Sequence, residues 1–190
     1  HLTGFRNLSG VLLVCYEMAT ELSLQLKSRS KKHTMKQPND DSQVRNAGLL
    51  LGAALSACFD GIVFHQILGW HHMASNVVPP TTPEAFARNL LWDGFFNASA
   101  VLLGVIGLVL LWRAARRPPP LPSSAYFGGL LLIGFGLFNL IEGVIDHHLL
   151  QIHHVREVAN PLPWDLGFLL LLGLLPLLVG WLLTRRERVA

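Results

Sequence analysis

The chain of 190 residues has room for one domain, and with 14% charged residues and a mean hydropathy of +0.42 it is too apolar for an ordinary soluble one. A formal charge of +3 is no nucleic-acid footprint here, because the basic residues crowd the ends of apolar runs. Cys15 and Cys58 are the only cysteines, which excludes a Cys-rich zinc site and CxxCH haem attachment and predicts no disulfide.

In chain order, residues 1–44 read as an N-terminal cytoplasmic extension, amphipathic or disordered. Leu8, Val11, Leu12, Cys15, Met18, Ala19, Leu22 and Leu26 recur at helical spacing, whereas Glu17, Glu21 and the shortness of the apolar part argue against a spanning helix. No cleavage-site pattern follows, so no signal peptide is expected. Met35 opens a stretch that would serve as a natural start, so residues 1–34 also read as an upstream extension.

From about residue 45 to 186 four apolar runs follow, at 47–70, 93–112, 126–152 and 166–183. Each is long enough, at about 1.5 Å per residue, to cross or nearly cross a hydrocarbon core of about 30 Å. Nothing alternates with period two, so the fold class is all-α: an integral membrane four-helix bundle. Residues 73–90 read as a polar loop and residues 114–124 as a basic, proline-rich turn. Basic residues crowd the N-terminal segment, the 113–117 turn and the C-terminus. This places both termini in the cytoplasm and turns the far ends of the first and third helices outward. Trp70, Trp92, Trp112, Trp164 and Trp181 fall at the expected interfaces as an aromatic belt.

Residues 59–73, FDGIVFHQILGWHHM, are echoed by residues 141–155, IEGVIDHHLLQIHHV. At a constant offset Asp60 meets Glu142, His65 meets His147, and His71-His72 meet His153-His154. Seven of the nine histidines lie in these stretches. Trp92-Asp93 and Trp164-Asp165 open the second and fourth runs, where N-capping is a sufficient role for the aspartates. The chain therefore reads as two 2-helix repeats, related by an axis along the membrane normal.

Ionisable groups inside a spanning helix are costly and point to function. Helical geometry continued through the motif gives three tiers. Asp60 and Glu142 are deep, about 15 Å below Trp70; His65 and His147 are intermediate, with Asp146 and His148 beside them; the outer His-His pairs are at the surface. Small residues recur every seven positions, at Ala47, Ala54 and Gly61 and at Gly129, Gly136 and Gly143. They read as a seam between the first and third helices, with His65 and His147 at that contact. Neutral imidazole is the commonest metal ligand and carboxylates orient it. The expected metal residues are thus His65, His71, His72, His147, His148, His153, His154, Asp60, Glu142 and Asp146, holding copper, zinc or iron. His65 and His147 form the inner site, and the outer pairs act in uptake or at a second site. Alternatives are a membrane oxidoreductase with a di-metal centre or a b-type haem held by His65 and His147, and a proton or ion pathway through Asp60 and Glu142. The bilayer is the expected partner; a redox or metal-delivery partner and a homo-oligomer stay open.

The motifs FDGIVFHQILGWHHM, WDGFF and NLIEGVIDHHLLQIHHVRE, in this order, resemble the bacterial membrane-protein family catalogued as domain of unknown function 2243. The resemblance covers about residues 45–185. It implies a four-helix protein of the bacterial inner membrane and no established activity. Members of that family carry histidine after the DG-x-F element of the second helix; here that position is Asn97, so a ligand supplied there in relatives would be altered.

Overall fold

The computed structural model describes residue 21, residues 40–117 and residues 120–189. Apart from Glu21, the residues on which the readings of 1–34 rest, Cys15 among them, lie outside the described residues. The described chain is all-helical, with four helices long and apolar enough to cross a membrane.

Helix α1 runs from Asp40 to Phe59 and continues as a π-helix from Asp60 to Ile67. Helix α2 spans Pro83–Ala115. Helix α3 spans Ser124–Glu142 and also loosens into a π-helix, Gly143–Leu149. Helix α4 covers Leu162–Phe168, a π-helical Leu169–Leu174 and Leu175–Val189.

The starts of α2 and α3 follow from capping. The Thr82 hydroxyl accepts the Ala85 N–H, with Pro83 in the first turn, where its missing N–H costs nothing. The Ser123 hydroxyl accepts the Tyr126 N–H. Helix α2 thus starts at Pro83 rather than 93, because its first turns carry Glu84, Arg88 and Asn89, which a hydropathy reading assigns to a loop. In α4, Pro176 has no N–H to offer the Leu172 carbonyl one turn back, and the Asn139 side chain of α3 donates to it at 2.9 Å.

Helices α1 and α3 form the buried centre, flanked by α2 and α4. The outer faces of α2 and α4 carry well-exposed Val101, Leu102, Leu170 and Leu171, as lipid-facing surfaces do. The crossing of α1 and α3 is tight and matched. A Cβ on Gly52 would overlap the Leu131 carbonyl oxygen, and a Cβ on Gly134, at the corresponding place, would overlap that of Leu49.

The expected small-residue seam faces elsewhere. A side chain at Gly61 would meet Asn97 and Phe96 of α2, and Gly104 of α2 faces Ala54. Gly129, Gly136 and Gly143 abut Gly180, Gly173 and Leu169 of α4. The seven-residue pattern marks close approach to the flanking helix of each half, and the α1–α3 contact uses Gly48, Gly52 and Gly134 instead.

Candidate metal centre

Both motif helices end in the same way. The Leu68 N–H reaches the Val63 carbonyl, five residues back, at 2.8 Å, and the Leu150 N–H reaches that of Ile145 at 2.7 Å. This wide turn releases the chain. Gly69 and Gln151 then take left-handed φ values of 56° and 51°, which fold each following segment back over the helix end. Neither helix continues through the outer His-His pair, as the three-tier reading assumes. His71 and His153 are carried inward and downward instead of standing at the surface.

The tiers therefore merge. Asp60, His65 and His71 form one buried group, and Glu142, His147 and His153 form a second; within each, one ligand atom per residue lies within 4.8 Å of the others. All four histidines are at most 2% exposed. His65 Nε2 lies 3.0 Å from Asp60 Oδ2, and His71 Nε2 lies 4.0 Å from Oδ1. Glu142 Oε1 lies 3.3 Å from His147 Nε2 and 3.2 Å from His153 Nε2. The groups adjoin: His71 and His153 stack with ring centroids 4.6 Å apart and planes 3° apart. His65 lies beside His153 at 6.1 Å, and His71 beside His147 at 6.4 Å.

The Nδ1 atoms define the chemistry of the Nε2 atoms. His71 Nδ1 donates to the Val155 carbonyl at 2.9 Å, and His153 Nδ1 donates to the Met73 carbonyl at 3.1 Å. A carbonyl only accepts, so both Nδ1 atoms carry hydrogen, and neutral rings present an Nε2 lone pair to the cluster. Burial pushes the His71 imidazole well below its ordinary protonation range, and the nearby His153 and His65 act in the same direction. His65 Nδ1 faces Asp93 Oδ1 at 2.9 Å, and His147 Nδ1 faces Asp165 Oδ1 at 3.6 Å.

Asp93 and Asp165 are thus more than helix caps. Asp93 lies within α2 and gathers three groups: the His65 ring, the His72 ring at 2.7 Å and the Met73 N–H at 2.8 Å. Asp165, in the first turns of α4, accepts the His154 ring at 2.8 Å and the Val155 N–H at 2.9 Å. His72 and His154 accordingly brace the loops rather than join either group. The echo of Trp-Asp in the second and fourth runs is the signal that could have found these two aspartates. Asp146 and His148 stand outside both groups as well. Asn97 lies against Gly61, next to Asp60.

The loops that seal the site are tied to each other. The Ser75 hydroxyl donates to Glu157 at 2.6 Å, Asn76 Nδ2 donates to the Gln151 carbonyl at 2.7 Å, and the Glu157 N–H reaches the Trp70 carbonyl at 3.2 Å. Trp70 and Trp164 meet edge to face at 5.2 Å, with the Arg156 guanidinium over both rings.

A consequence follows for charge. Asp60 Oδ2 and the Nε2 atoms of His65, His71 and His147 are buried without a hydrogen-bond partner. Lone pairs of carboxylate and imidazole converge there, and only a cation, proton or metal, relieves them. Ligand bonds of about 2.0–2.2 Å place neighbouring donor atoms roughly 3–3.5 Å apart around one ion, and three of the four carboxylate–Nε2 separations fall in that range. The donor sets therefore fit a metal ion, with the His65, His71 and His153 imidazoles oriented through the second nitrogen as metal-bound histidines are, while His147 Nδ1 stands 3.6 Å from Asp165 without a hydrogen bond.

No curated protein and no solved structure matches the chain. A family model does, over residues 47–187, and the chain belongs to that family, described as predicted membrane protein (DUF2243).

Proposed function

We propose that this membrane protein binds metal through two adjacent two-histidine, one-carboxylate sites, Asp60–His65–His71 and Glu142–His147–His153. The observation that carries this reading is the set of buried, unpartnered Nε2 atoms of His65, His71 and His147 facing buried carboxylates, with the rings of His65, His71 and His153 held from behind by hydrogen bonds. Two imidazoles and a carboxylate with open positions suit zinc or ferrous iron better than a thioether- or thiolate-seeking copper(I). The closeness of the sites supports a di-metal oxidoreductase as the second reading, since His71 and His153 stack at 4.6 Å. The same stacked pair fills the space between His65 and His147 that a b-type haem would need, which favours metal ions over haem.

The matched contacts support reading the halves as a repeat. Gly52 and Gly134, Gly69 and Gln151, and the crossed bonds of His71 and His153 all sit at corresponding positions. The basic residues near Arg45, at Arg113, Arg116 and Arg117, and at Arg185 support cytoplasmic termini, with the metal sites at the opposite, outer end of the bundle in a bacterial inner membrane.

Elemental analysis of the purified, detergent-solubilised protein tests the metal reading. Up to two ions per chain are expected. His65→Ala or His71→Ala should lose one ion and His147→Ala or His153→Ala the other, while His148→Ala keeps both. Wild-type protein that takes up no zinc or iron, with well-folded variants indistinguishable from it, would leave a proton-sharing network around Asp60 and Glu142 as the better account.

A further inference from the structure

A groove of about 480 Å³ runs along the flank of the bundle between α1 and α3, with Phe96 of α2 in its wall beside Ala53, Phe138 and Ile141, and ends on Glu142 and Asp146. Its walls belong to membrane-spanning segments, so it opens toward the hydrocarbon. The volume is that of a small-molecule pocket.

Two carboxylates at the end of an otherwise apolar, lipid-facing groove are not explained by packing. Glu142 is 7% exposed. Its Oε1 faces His147 and His153, while Oε2 is buried with no hydrogen-bond partner. A carboxylate oxygen only accepts, so its complement is an O–H or N–H donor. An ammonium would have to cross hydrocarbon as a charge, which is costly; a neutral hydroxyl reaches the groove from the bilayer without that penalty.

The other half shows what a closed version looks like. The positions corresponding to Ala53, Ile141 and Asp146 are Phe135, Phe59 and Phe64. Phe59 packs on Phe64 with centroids 5.8 Å apart and on Phe135 at 6.2 Å, so aromatic rings fill that flank. The groove beside Glu142 exists because three phenylalanines are replaced by a small, an aliphatic and an acidic residue.

We propose that the groove binds a lipid-soluble molecule with a hydroxyl head group, its hydrocarbon body between α1 and α3 and its O–H donating to Glu142. This deepens the metal reading, on which it rests for its place beside the Glu142–His147–His153 site. The shared chemistry is the hydroxyl on an apolar body; a phenolic head and an alcoholic one are the two sources.

The test uses the full chain in nanodiscs with a decyl-substituted hydroquinone, its dimethyl ether and dodecanol as probes, followed by calorimetry, with metal content measured on the same samples. The hydroquinone should bind saturably at one site per chain, and the ether about tenfold or more weakly, as the loss of a hydrogen bond to a charged group implies. Competition by dodecanol as strong as by the hydroquinone assigns an alcoholic head; weaker competition assigns a phenolic one. Ala53→Phe and Ile141→Phe, which copy the closed half, should each abolish saturable binding and leave metal content unchanged. Equal binding of hydroquinone and ether, or unchanged binding in a folded Phe variant, overturns the proposal. Hydroquinone binding that Ala53→Phe removes from a protein holding no metal supports the groove and overturns the metal reading instead.

Discussion

The two motif-bearing halves share a backbone plan and differ in how tightly they hold their histidines and in what covers them. Each has a π-helical end, a left-handed residue and a folded-back histidine bonded to the opposite half's carbonyl. In the first half Asp93 holds His65 at 2.9 Å, and phenylalanines close the flank. In the second, Asp165 stands 3.6 Å from His147 and a groove opens beside Glu142. The crossed His71 and His153 bonds need both halves, so the common plan is a requirement of the site. The flank carries no such requirement, and there the sequences diverge. What the halves share therefore reports on the buried cluster, and what they do not share reports on access to it.

The severest way to break the common plan is at the crossing of α1 and α3. Gly134→Leu and Gly52→Leu should each prevent a folded, monodisperse protein, because the added Cβ runs into a backbone oxygen that cannot move without shifting a whole helix. Gly128→Ala, with nothing near its Cβ, is the control. Size-exclusion profiles and thermal melts in detergent read the outcome. The two leucine variants should fail alike; a tolerated Gly52→Leu beside a failed Gly134→Leu would mean the halves do not share this crossing.

The middle effect sharpens the difference between the aspartates. Asp93→Asn should weaken metal binding at the Asp60–His65–His71 group by about 10–100-fold, the usual cost of losing the carboxylate behind a ligating histidine. Asp165→Asn should cost less at the other group, because its reach to His147 is already 3.6 Å. Competition with a chromophoric chelator measures both. A larger loss in Asp165→Asn would reverse the ranking of the two halves.

The spans and the position of the buried histidine–carboxylate cluster were legible in the sequence; its interior was not. Four apolar runs between basic ends leave a bilayer-crossing bundle as the one economical fold, and the echo of Asp60–His72 by Glu142–His154 marks the chemistry. Membership of His71 and His153 in the inner groups was hidden because a helical wheel continued through the motif has no means of stopping. The stop depends on a π turn and on Gln151, a residue with no Gly-like signature, adopting φ 51°. Asp93 was hidden because the polar first turns of α2 resemble a loop, which made an interior aspartate look like a cap. The seam of small residues was visible, yet spacing along one helix reports that a neighbour comes close and not which neighbour it is.

The smallest expected effect lies in the cover over the site, where the halves again differ. Arg156 sits 5.2 Å from the Trp70 ring centroid and 4.7 Å from that of Trp164, so one cation bridges the folded-back segment of the first half and the start of α4. The corresponding position in the first half is Ala74, which carries no charge and makes no such bridge. Arg156→Gln keeps a polar side chain and removes the cation. Partly exposed cation–π contacts are worth about 0.5–1 kcal/mol each, and the two share one guanidinium, so a loss of about 1 kcal/mol is expected. The edge-to-face Trp70–Trp164 contact and the Ser75–Glu157 bond remain to hold the loops. The melting temperature should therefore fall by a few degrees while metal content stays at the wild-type level. Exchange of bound metal with an added chelator should quicken, since the cover opens more often. Unchanged exchange together with unchanged melting would show that the loop-to-loop hydrogen bonds alone close the site, and that the cation distinguishing the second half contributes nothing to the cover.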